Sequence, residues 1–280
     1  MANENLINAG LSLSAAGTWG TGDFVGGFAS RRTHPIGVLL ISQLTGLAGL
    51  VVLALLTHEP RPSLTIFLWG LAAGTANLVG FVSFYRALSI GKMGINAPVT
   101  AVITASIPLI YGVITQGPPR GVQMAGFAVA LLGIWLLAKP DSTGVRSEGL
   151  GHAMIAGVLF STFLILMKVA GQFTSGWPLA SARLAGAIVA GGLVMARPAE
   201  RAPGRSALPF AMTAGLLDSG GTIFFLPAVR HGRLDVAVVL SSLYPLATVV
   251  LARLILKERL TTIQTAGVIA ALAAVPMIAS

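Results

Sequence analysis

The chain has 280 residues, of which 55% are hydrophobic and only 10% are charged. Soluble domains carry about 25% charged residues, so this composition leaves too little charge to cover a water-soluble surface. The net charge of +9 comes from Lys and Arg residues that lie mostly in short connections between apolar segments. That distribution is typical of membrane topology signals and lipid headgroup contacts, and it argues against a nucleic-acid partner.

Ten apolar segments follow one another along the chain, each close to the roughly 20 residues that cross a bilayer as a helix. The predicted spans are 7–29, 36–57, 64–88, 94–116, 121–138, 150–170, 178–196, 207–229, 234–256 and 262–279. The longest connection, 139–149, divides them into two sets of five. The sequence therefore predicts an all-α integral membrane protein with ten transmembrane helices, divided into units 1–140 and 141–280.

The two sets of five spans share a sequence pattern. With an offset of 141 positions, Ala73-Gly74 aligns with Ala214-Gly215 and Phe84 aligns with Phe225. Because five is an odd number, the second copy of a similar unit must cross the membrane in the opposite direction. We therefore predict two inverted five-helix repeats, with a substrate site where they meet.

Basic residues are divided unevenly between the two sides of this topology. Connections after odd-numbered spans hold twelve: Arg31, Arg32, Arg86, Lys92, Lys139, Arg146, Arg197, Arg201, Arg205, Arg253, Lys257 and Arg259. The other side holds five: Arg61, Arg120, Lys168, Arg230 and Arg233. Since cytoplasmic loops are enriched in Lys and Arg, both termini are predicted to lie outside the cytoplasm, with the chain in a bacterial cytoplasmic (inner) membrane.

Three charged side chains lie well inside predicted spans: Asp23, Arg183 and Asp218. Each costs about 2.5–3.5 kcal/mol to insert, so each is a candidate for function. The repeat gives two of them polar counterparts, since Asn77 is equivalent to Asp218, and Gln43 to Arg183 at an offset of 140. Polar groups at equivalent depths in both halves predict a shared aqueous cavity.

We assign these side chains to substrate binding. The planar guanidinium of Arg183 can bind both oxygens of a carboxylate, while Asp218 or Asp23 can meet an ammonium group or carry a coupling proton. The alternative is a buried ion pair of Arg183 with one of these aspartates, which would fix helix packing and never touch substrate. Further candidates for the cavity wall, with helix packing or interfacial anchoring as the alternative for the aromatic residues, are Trp19, Tyr85, Ser242 and Tyr244.

Prolines and glycines inside the spans carry a second set of predictions. Proline removes a backbone hydrogen bond and kinks a helix, which indicates a gate near a midplane site or, alternatively, a static kink. The four prolines assigned to gating or kinking are Pro98 and Pro108 in span 4, Pro227 in span 8 and Pro245 in span 9. Gly22-x-x-x-Gly26 and Gly70-x-x-x-Gly74 predict faces where helices pack closely.

Short segments near the start, middle and end of the chain carry a further pattern. They are Ala15-Ala16-Gly17-Thr18-Trp19-Gly20, Phe84-Tyr85-Arg86-Ala87-Leu88, Leu243-Tyr244-Pro245-Leu246 and Lys257-Glu258-Arg259-Leu260. In order and spacing they resemble EamA-type members of the drug/metabolite transporter superfamily, over essentially the whole chain. The resemblance implies export or exchange of small metabolites, often amino acids, through a central cavity. Two positions depart from the pattern: Gly117 stands where the second half has Glu258, and Thr104 aligns with Pro245.

These observations predict a secondary transporter working by alternating access, in the class of permeases and exporters. Its substrate would be a small molecule, with amino acids or related zwitterions and organic acids as the leading class, and protons as the coupling ion. The alternative is a multidrug-type exporter of amphipathic cations. Arg183 would repel such cations unless Asp218 neutralises its charge. We expect no cofactor, no metal, and a monomer or weak homodimer in the lipid bilayer.

An intramembrane enzyme or a membrane receptor are alternatives from other classes. An enzyme would need a nucleophile with a base, or a metal cluster. The four histidines, His34, His58, His152 and His231, lie at span ends or in connections, and the chain has no HExxH or GxSxG motif. A receptor or scaffold would need a docking segment that the sequence lacks. We therefore predict no enzymatic activity.

Overall fold

The computed structural model describes residues 2–59, 62–137, 148–169, 176–196, 204–231, 234–257 and 261–279. Every regular element in these ranges is an α-helix. The first half contains α1 (Ala2–Ser30), α2 (Pro35–Leu56), α3 (Leu64–Ile90), α4 (Met93–Gln116) and α5 (Gly121–Leu137). The second half contains α6 (Leu150–Val169), α7 (Gly176–Ala196), α8 (Leu208–His231), α9 (Leu234–Ser241), α10 (Pro245–Ile255) and α11 (Thr262–Ala279).

Nine of the ten predicted spans each correspond to one helix, whereas the remaining one, the ninth along the chain, corresponds to two. The predicted span 234–256 consists of α9 and α10, which are separated at Ser242–Tyr244, directly before the proline that was assigned to a kink in this span. Pro245 has no N–H to continue the helical ladder. Just before it, backbone N–H groups donate to carbonyls three residues earlier instead of four. The Leu243 N–H donates to the Leu240 carbonyl at 3.2 Å, and the Tyr244 N–H donates to the Ser241 carbonyl at 3.1 Å.

Several sequence predictions fall on positions that lie outside the described residues. These are the boundary between units 1–140 and 141–280, the ends of the fifth and sixth spans at 138 and 170, and Glu258. The same holds for some of the basic residues that were counted for orientation: Arg61, Lys139, Arg146, Arg197, Arg201, Arg233 and Arg259.

Seven helical segments of the described chain are long and apolar enough to cross a membrane. They are Pro35–Leu56, Leu64–Ile90, Ile95–Thr115, Leu150–Met167, Gly176–Ala196, Leu208–Val229 and Val236–Ile255, and two shorter apolar helices are Gly121–Leu136 and Thr262–Ala274. Large apolar side chains such as Leu56, Ile114 and Met195 are more than 70% exposed on the outside of the bundle. Such a surface is stable in lipid and not in water, as expected for a multi-pass membrane protein.

The helices pair across the two halves in a pattern that follows the repeat. The main pairs are α1 with α8, α3 with α6 and α7, α2 with α7 and α8, and α5 with α11. Since α1 corresponds to α6 and α3 to α8 in the sequence repeat, the α1–α8 pair is the counterpart of α3–α6. Likewise, α2–α8 is the counterpart of α3–α7.

Glycines allow these pairs to approach closely, and equivalent glycines do so in both halves. A Cβ added to Gly74 would overlap the backbone of Ala182, and one added to Gly215 would overlap the carbonyl of Ser42. Gly22, Gly26 and Gly70 also face α8, Tyr85 and α7 respectively, without room for a side chain. The predicted packing role of both Gly-x-x-x-Gly segments is therefore confirmed.

Candidate functional site

A cavity of about 80 Å³ lies between the two halves, near the middle of the long helices. A water molecule occupies about 30 Å³ in the liquid, so the cavity has room for a few waters or part of a small solute. Its wall from the first half consists of Trp19, Asp23, Asn77, Phe81 and Thr104. Its wall from the second half consists of Phe160, Phe163, Leu164, Arg183, Asp218, Thr222, Ser241, Ser242 and Tyr244.

The cavity wall repeats the sequence symmetry. Asn77 and Asp218 both line it, as do their neighbours one turn further along, Phe81 and Thr222. At the offset of 140 that aligns Gln43 with Arg183, Asp23 is equivalent to Phe163 in α6, and these two form a third pair of lining residues. The same helix faces therefore point inwards in both halves, although their chemistry differs.

Arg183 is the cationic centre of the cavity and is already paired. Its guanidinium forms an ion pair with Asp218, and its Nη1 donates to Oε1 of Gln43 at 3.4 Å. Both Arg183 and Gln43 are buried, at 6% and 2% exposure. A buried charge is tolerated only when an opposite charge and hydrogen bonds compensate it, and these partners supply both. Of the two ion pairs considered from the sequence, the one with Asp218 is formed.

Two glycines that are equivalent in the repeat lie beside this ion pair. A Cβ on Gly46 of α2 would approach Oγ of Ser219 on α8 to 2.5 Å, whereas its 3.4 Å distance to Nε of Arg183 is an ordinary contact. A Cβ on Gly186 of α7 would approach Oε1 of Gln43 to 2.7 Å. The absence of a side chain therefore lets α2 approach α8 at Gly46 and leaves space for the Gln43 amide at Gly186.

Asp23 is the second acidic group of the cavity, and its situation is different. It is 8% exposed and makes no ion pair or hydrogen bond within the described part of the chain. Tyr85 and Tyr244 lie close enough to interact with it electrostatically. Both approach α1 at glycines one turn from Asp23: Tyr244 packs its backbone carbonyl onto Gly20, and Tyr85 packs its hydroxyl end onto Gly26.

Trp19 connects the cavity wall to the ion pair. Its indole N–H donates to the backbone carbonyl of Asp218 at 3.1 Å, and its ring packs against Phe225 with centroids 5.4 Å apart. The close approach is possible because Gly221 carries no side chain where the indole lies. The two interpretations from the sequence, cavity wall and helix packing, both hold for this residue.

The break in the ninth span also faces the cavity. Ser241, Ser242 and Tyr244 line it, and the Tyr244 hydroxyl is buried without a hydrogen-bond partner among the described residues. A buried hydroxyl without a partner costs free energy, so it marks a position where a polar ligand or water is expected. Ser242 and Tyr244 are both among the wall candidates named from the sequence, and Pro245, which begins α10, follows them directly.

Other predicted residues lie outside the cavity wall. Gln43 lies behind Arg183, while Tyr85 packs against Phe81 and Phe84 in the core. The helix α4 continues past Pro98 and Pro108, and α8 continues past Pro227, so a gate or kink at these three prolines stays a prediction. Membrane helices accommodate proline when neighbouring groups satisfy the freed backbone, so proline alone does not end a helix.

Five residues of the cavity wall were not among the sequence-based candidates: Phe81, Phe160, Phe163, Leu164 and Thr222. Phe81 and Thr222 lie four residues after Asn77 and Asp218, so helical spacing from the polar residues could have found them. Phe163 is the repeat equivalent of Asp23, which is another available signal. Phe160 and Leu164 carry none, because an apolar residue in an apolar span does not reveal whether it faces lipid or cavity.

Comparison with protein families identifies what kind of molecule contains this cavity. The model of the EamA-like transporter family matches residues 7–139 and again residues 148–280. The chain belongs to the EamA-like transporter family. Membership places it among membrane transporters of the drug/metabolite transporter superfamily, as the sequence resemblance indicated. The two matches also divide this EamA-like transporter into the two repeats that the sequence pattern predicts.

Solved structures support the same fold for this EamA-like transporter. Among 28 matching chains is one described only as "Crystal structure of protein", with a TM-score of 0.73 over 96% of this chain and 95% of that chain. The two sequences are 15% identical, so the similarity concerns the fold alone. A search of curated proteins gives no match.

Proposed function

We propose that this EamA-like transporter is a permease or exporter of small zwitterionic metabolites, with amino acids and related organic acids as the leading class. Transport would occur by alternating access across a bacterial cytoplasmic membrane, through ten spans arranged as two inverted repeats with both termini outside. Proton coupling, no cofactor, and a monomer or weak homodimer complete the proposal. The observation that carries it is the central cavity, whose wall combines Arg183, Asp218 and Asp23 from both halves.

The separation of charges within the cavity supports a zwitterionic substrate. Asp23 has no cationic partner in the described chain and can accept an ammonium group. Arg183 can bind a carboxylate if Asp218 shares or yields its position, because the guanidinium presents five N–H donors in a planar fork. A molecule with both charges would then bridge α1 of the first repeat and α7 of the second.

Different packing of equivalent helices supports alternating access. Between α4 and α6, Thr100 Oγ1 donates to the Ala153 carbonyl at 3.0 Å, Thr104 Oγ1 donates to Gly157 at 3.4 Å, and Ser161 Oγ donates to Ile103 at 3.2 Å.

The equivalent α1 is held differently: Thr248 Oγ1 donates to the Gly20 carbonyl at 2.9 Å, against the second half of the broken span. A Cβ on Gly157 would press on Ile103, whereas its equivalent Gly17 has no such neighbour within 4 Å. If the first repeat adopted the packing of the second and the second adopted that of the first, the cavity would open to the other side of the membrane.

The second candidate function is export of amphipathic cations. It is favoured by the ion pair itself, since Asp218 neutralises Arg183 and the ionised Asp23 then leaves the cavity with a net negative charge. The aromatic side chains Trp19, Phe81 and Phe160 would suit an apolar cation by packing and cation–π contact.

A ligand-stabilisation screen of the purified protein distinguishes these candidates. The compounds are amino acids, nucleosides, organic acids and quaternary amines, and the readout is the thermal unfolding midpoint. Stabilisation by an amino acid that Arg183→Ala abolishes, and that Gly192→Ala retains, would support the zwitterion. Gly192 is a matched control on the same helix, where an added Cβ has no neighbour within 4 Å.

The same screen can contradict the proposal. Stabilisation by quaternary amines that is independent of Arg183 but lost in Asp23→Asn would assign the cavity to cations instead. Failure of every compound to stabilise the protein, together with no exchange of these compounds by reconstituted liposomes, would argue against a substrate of either class.

A further inference from the structure

Three ionisable side chains with formal charge share the cavity, and only two of them compensate each other. Arg183 forms an ion pair with Asp218 and a hydrogen bond with Gln43, so its charge is compensated. Asp23 lines the same cavity, is 8% exposed, and has neither an ion pair nor a hydrogen bond within the described ranges. An ionised carboxylate in that position is costly in a membrane interior, so Asp23 needs a positive charge or a proton.

The groups that face Asp23 come from each of the elements packed around it. Tyr85 comes from α3 and Tyr244 from the break in the ninth span, and both interact with it electrostatically. Across the cavity lie Asp218 of α8 and Arg183 of α7. Both tyrosines are neutral hydrogen-bonding groups, and the one cation in this set is already bound to Asp218. The surroundings of Asp23 thus contain donors for a carboxylate but no counter-ion.

Asp218 is a poorer proton acceptor than Asp23 for a geometric reason. A proton on Asp218 would remove the charge that compensates the buried guanidinium of Arg183. A proton on Asp23 leaves no other group uncompensated, because none depends on its charge. Of the two acids that the sequence offers for coupling, Asp23 can therefore change its protonation without breaking an existing ion pair.

Asp23 also lies where its state can reach the helix contacts. One turn before it, the Gly20 carbonyl accepts the Thr248 hydroxyl at 2.9 Å, which ties α1 to α10. One turn after it, Gly26 contacts Tyr85 of α3. Asp23 thus lies between two contacts that hold α1, one with α10 and one with α3.

We propose that Asp23 binds and releases the proton that couples this transporter to a pH gradient. An O–H bond forms between a water-borne proton and the Asp23 carboxylate when the cavity faces one side, and it breaks to water on the other side. Cargo with a positive group and the proton compete for the same carboxylate. The inference rests on the proposed transport function, but proton binding at Asp23 can be measured without any cargo.

The first test is infrared difference spectroscopy of the lipid-reconstituted protein during exchange between acidic and alkaline buffer. Wild type should show the carbonyl-stretch band of a buried carboxylic acid appearing in acid. Asp23→Asn should lose this band, Asp23→Glu should regain one, and Asp218→Asn should retain it. Glu148→Gln, at an exposed loop acid, is the control for the ordinary carboxyl signal. Loss of the band in Asp218→Asn but not in Asp23→Asn, or no such band in wild type, overturns the proposal.

The second test uses liposomes and a mixture of radiolabelled amino acids as the probe. Asp23→Asn should lose accumulation driven by a pH gradient, down to that of protein-free liposomes, and any exchange that remains should no longer depend on pH, because no proton competes with the cargo. If Asp23→Asn still accumulates amino acids along a pH gradient, or if its exchange keeps the wild-type pH dependence, the coupling role is wrong. If wild type moves none of the probe, the proposed substrate fails, whereas the infrared titration still decides whether Asp23 binds the proton.

Discussion

Arg183 lies inside an apolar bundle because two residues from neighbouring helices compensate its charge. Asp218 of α8 supplies an opposite charge, and Gln43 of α2 supplies an amide oxygen. Gly186, on the same helix as Arg183, leaves the space in which the Gln43 amide lies. The ion pair of Arg183 and Asp218 thus depends on residues from three helices.

The ion pair gives a prediction about stability. Removing one partner of a buried pair costs about 3–5 kcal/mol because the remaining charge is left uncompensated, whereas replacing both by apolar residues is close to neutral. We therefore expect Asp218→Asn to lower the unfolding free energy by about 3 kcal/mol, and the double variant Arg183→Met/Asp218→Leu to recover most of it. Denaturant unfolding in detergent measures both. A double variant no more stable than Asp218→Asn would contradict the compensation argument.

At the scale of elements, the contact between α4 and α6 differs in its details from its counterpart in the repeat, the contact of α1 with α9 and α10. Three side-chain hydrogen bonds cross it, and Gly157 fits against Ile103 and the Thr100 carbonyl. In the equivalent contact, the helical segment that faces α1 is interrupted at Ser242–Tyr244, between α9 and α10. Pro245, which comes shortly after Ser241 and Ser242, lacks the backbone N–H that would continue the helical hydrogen bonds there. Thr104, at the equivalent position of α4, has this N–H, and α4 stays continuous.

The equivalent glycines Gly157 and Gly17 give a matched pair of variants. Gly157→Ala places a methyl group 2.6 Å from Cβ of Ile103, so overpacking should cost about 1–3 kcal/mol of unfolding free energy. Gly17→Ala meets no packing atom within 4 Å and should change it by less than about 0.5 kcal/mol. Thermal unfolding in detergent compares them, and equal losses would show that the two seams are packed alike.

How far the sequence predicts this molecule differs between backbone and cavity. Apolar run length gives the helix ends to within a few residues, because the bilayer sets that length. Polar residues at equivalent depths correctly bring Asn77, Arg183 and Asp218 to one wall. The break at Ser242–Tyr244 and the continuity of α4 through Pro98 and Pro108 depend on tertiary partners for the backbone, so proline positions alone do not separate them.

For the whole molecule, the proposed inversion of the two repeats gives a topological prediction. Ser63 and Gly204 are 141 positions apart, and both are exposed in described connections. The chain has no cysteine, so Ser63→Cys and Gly204→Cys each introduce a single thiol. If the repeats are inverted, an impermeant thiol reagent added to cells should label Ser63→Cys and not Gly204→Cys. Labelling of both from the same side would contradict an odd number of spans per repeat.

Equivalent positions around the cavity differ in charge between the two halves. Arg183 and Asp218 of the second half are equivalent to Gln43 and Asn77 of the first, while Asp23 of the first half is equivalent to Phe163 of the second. A fully symmetric chamber would hold an asymmetric molecule in either of two poses related by the two-fold axis. Because this chamber is asymmetric, the two poses differ in energy. A substrate with two different ends would therefore bind and cross the membrane in one orientation, and its two enantiomers would bind with different affinities.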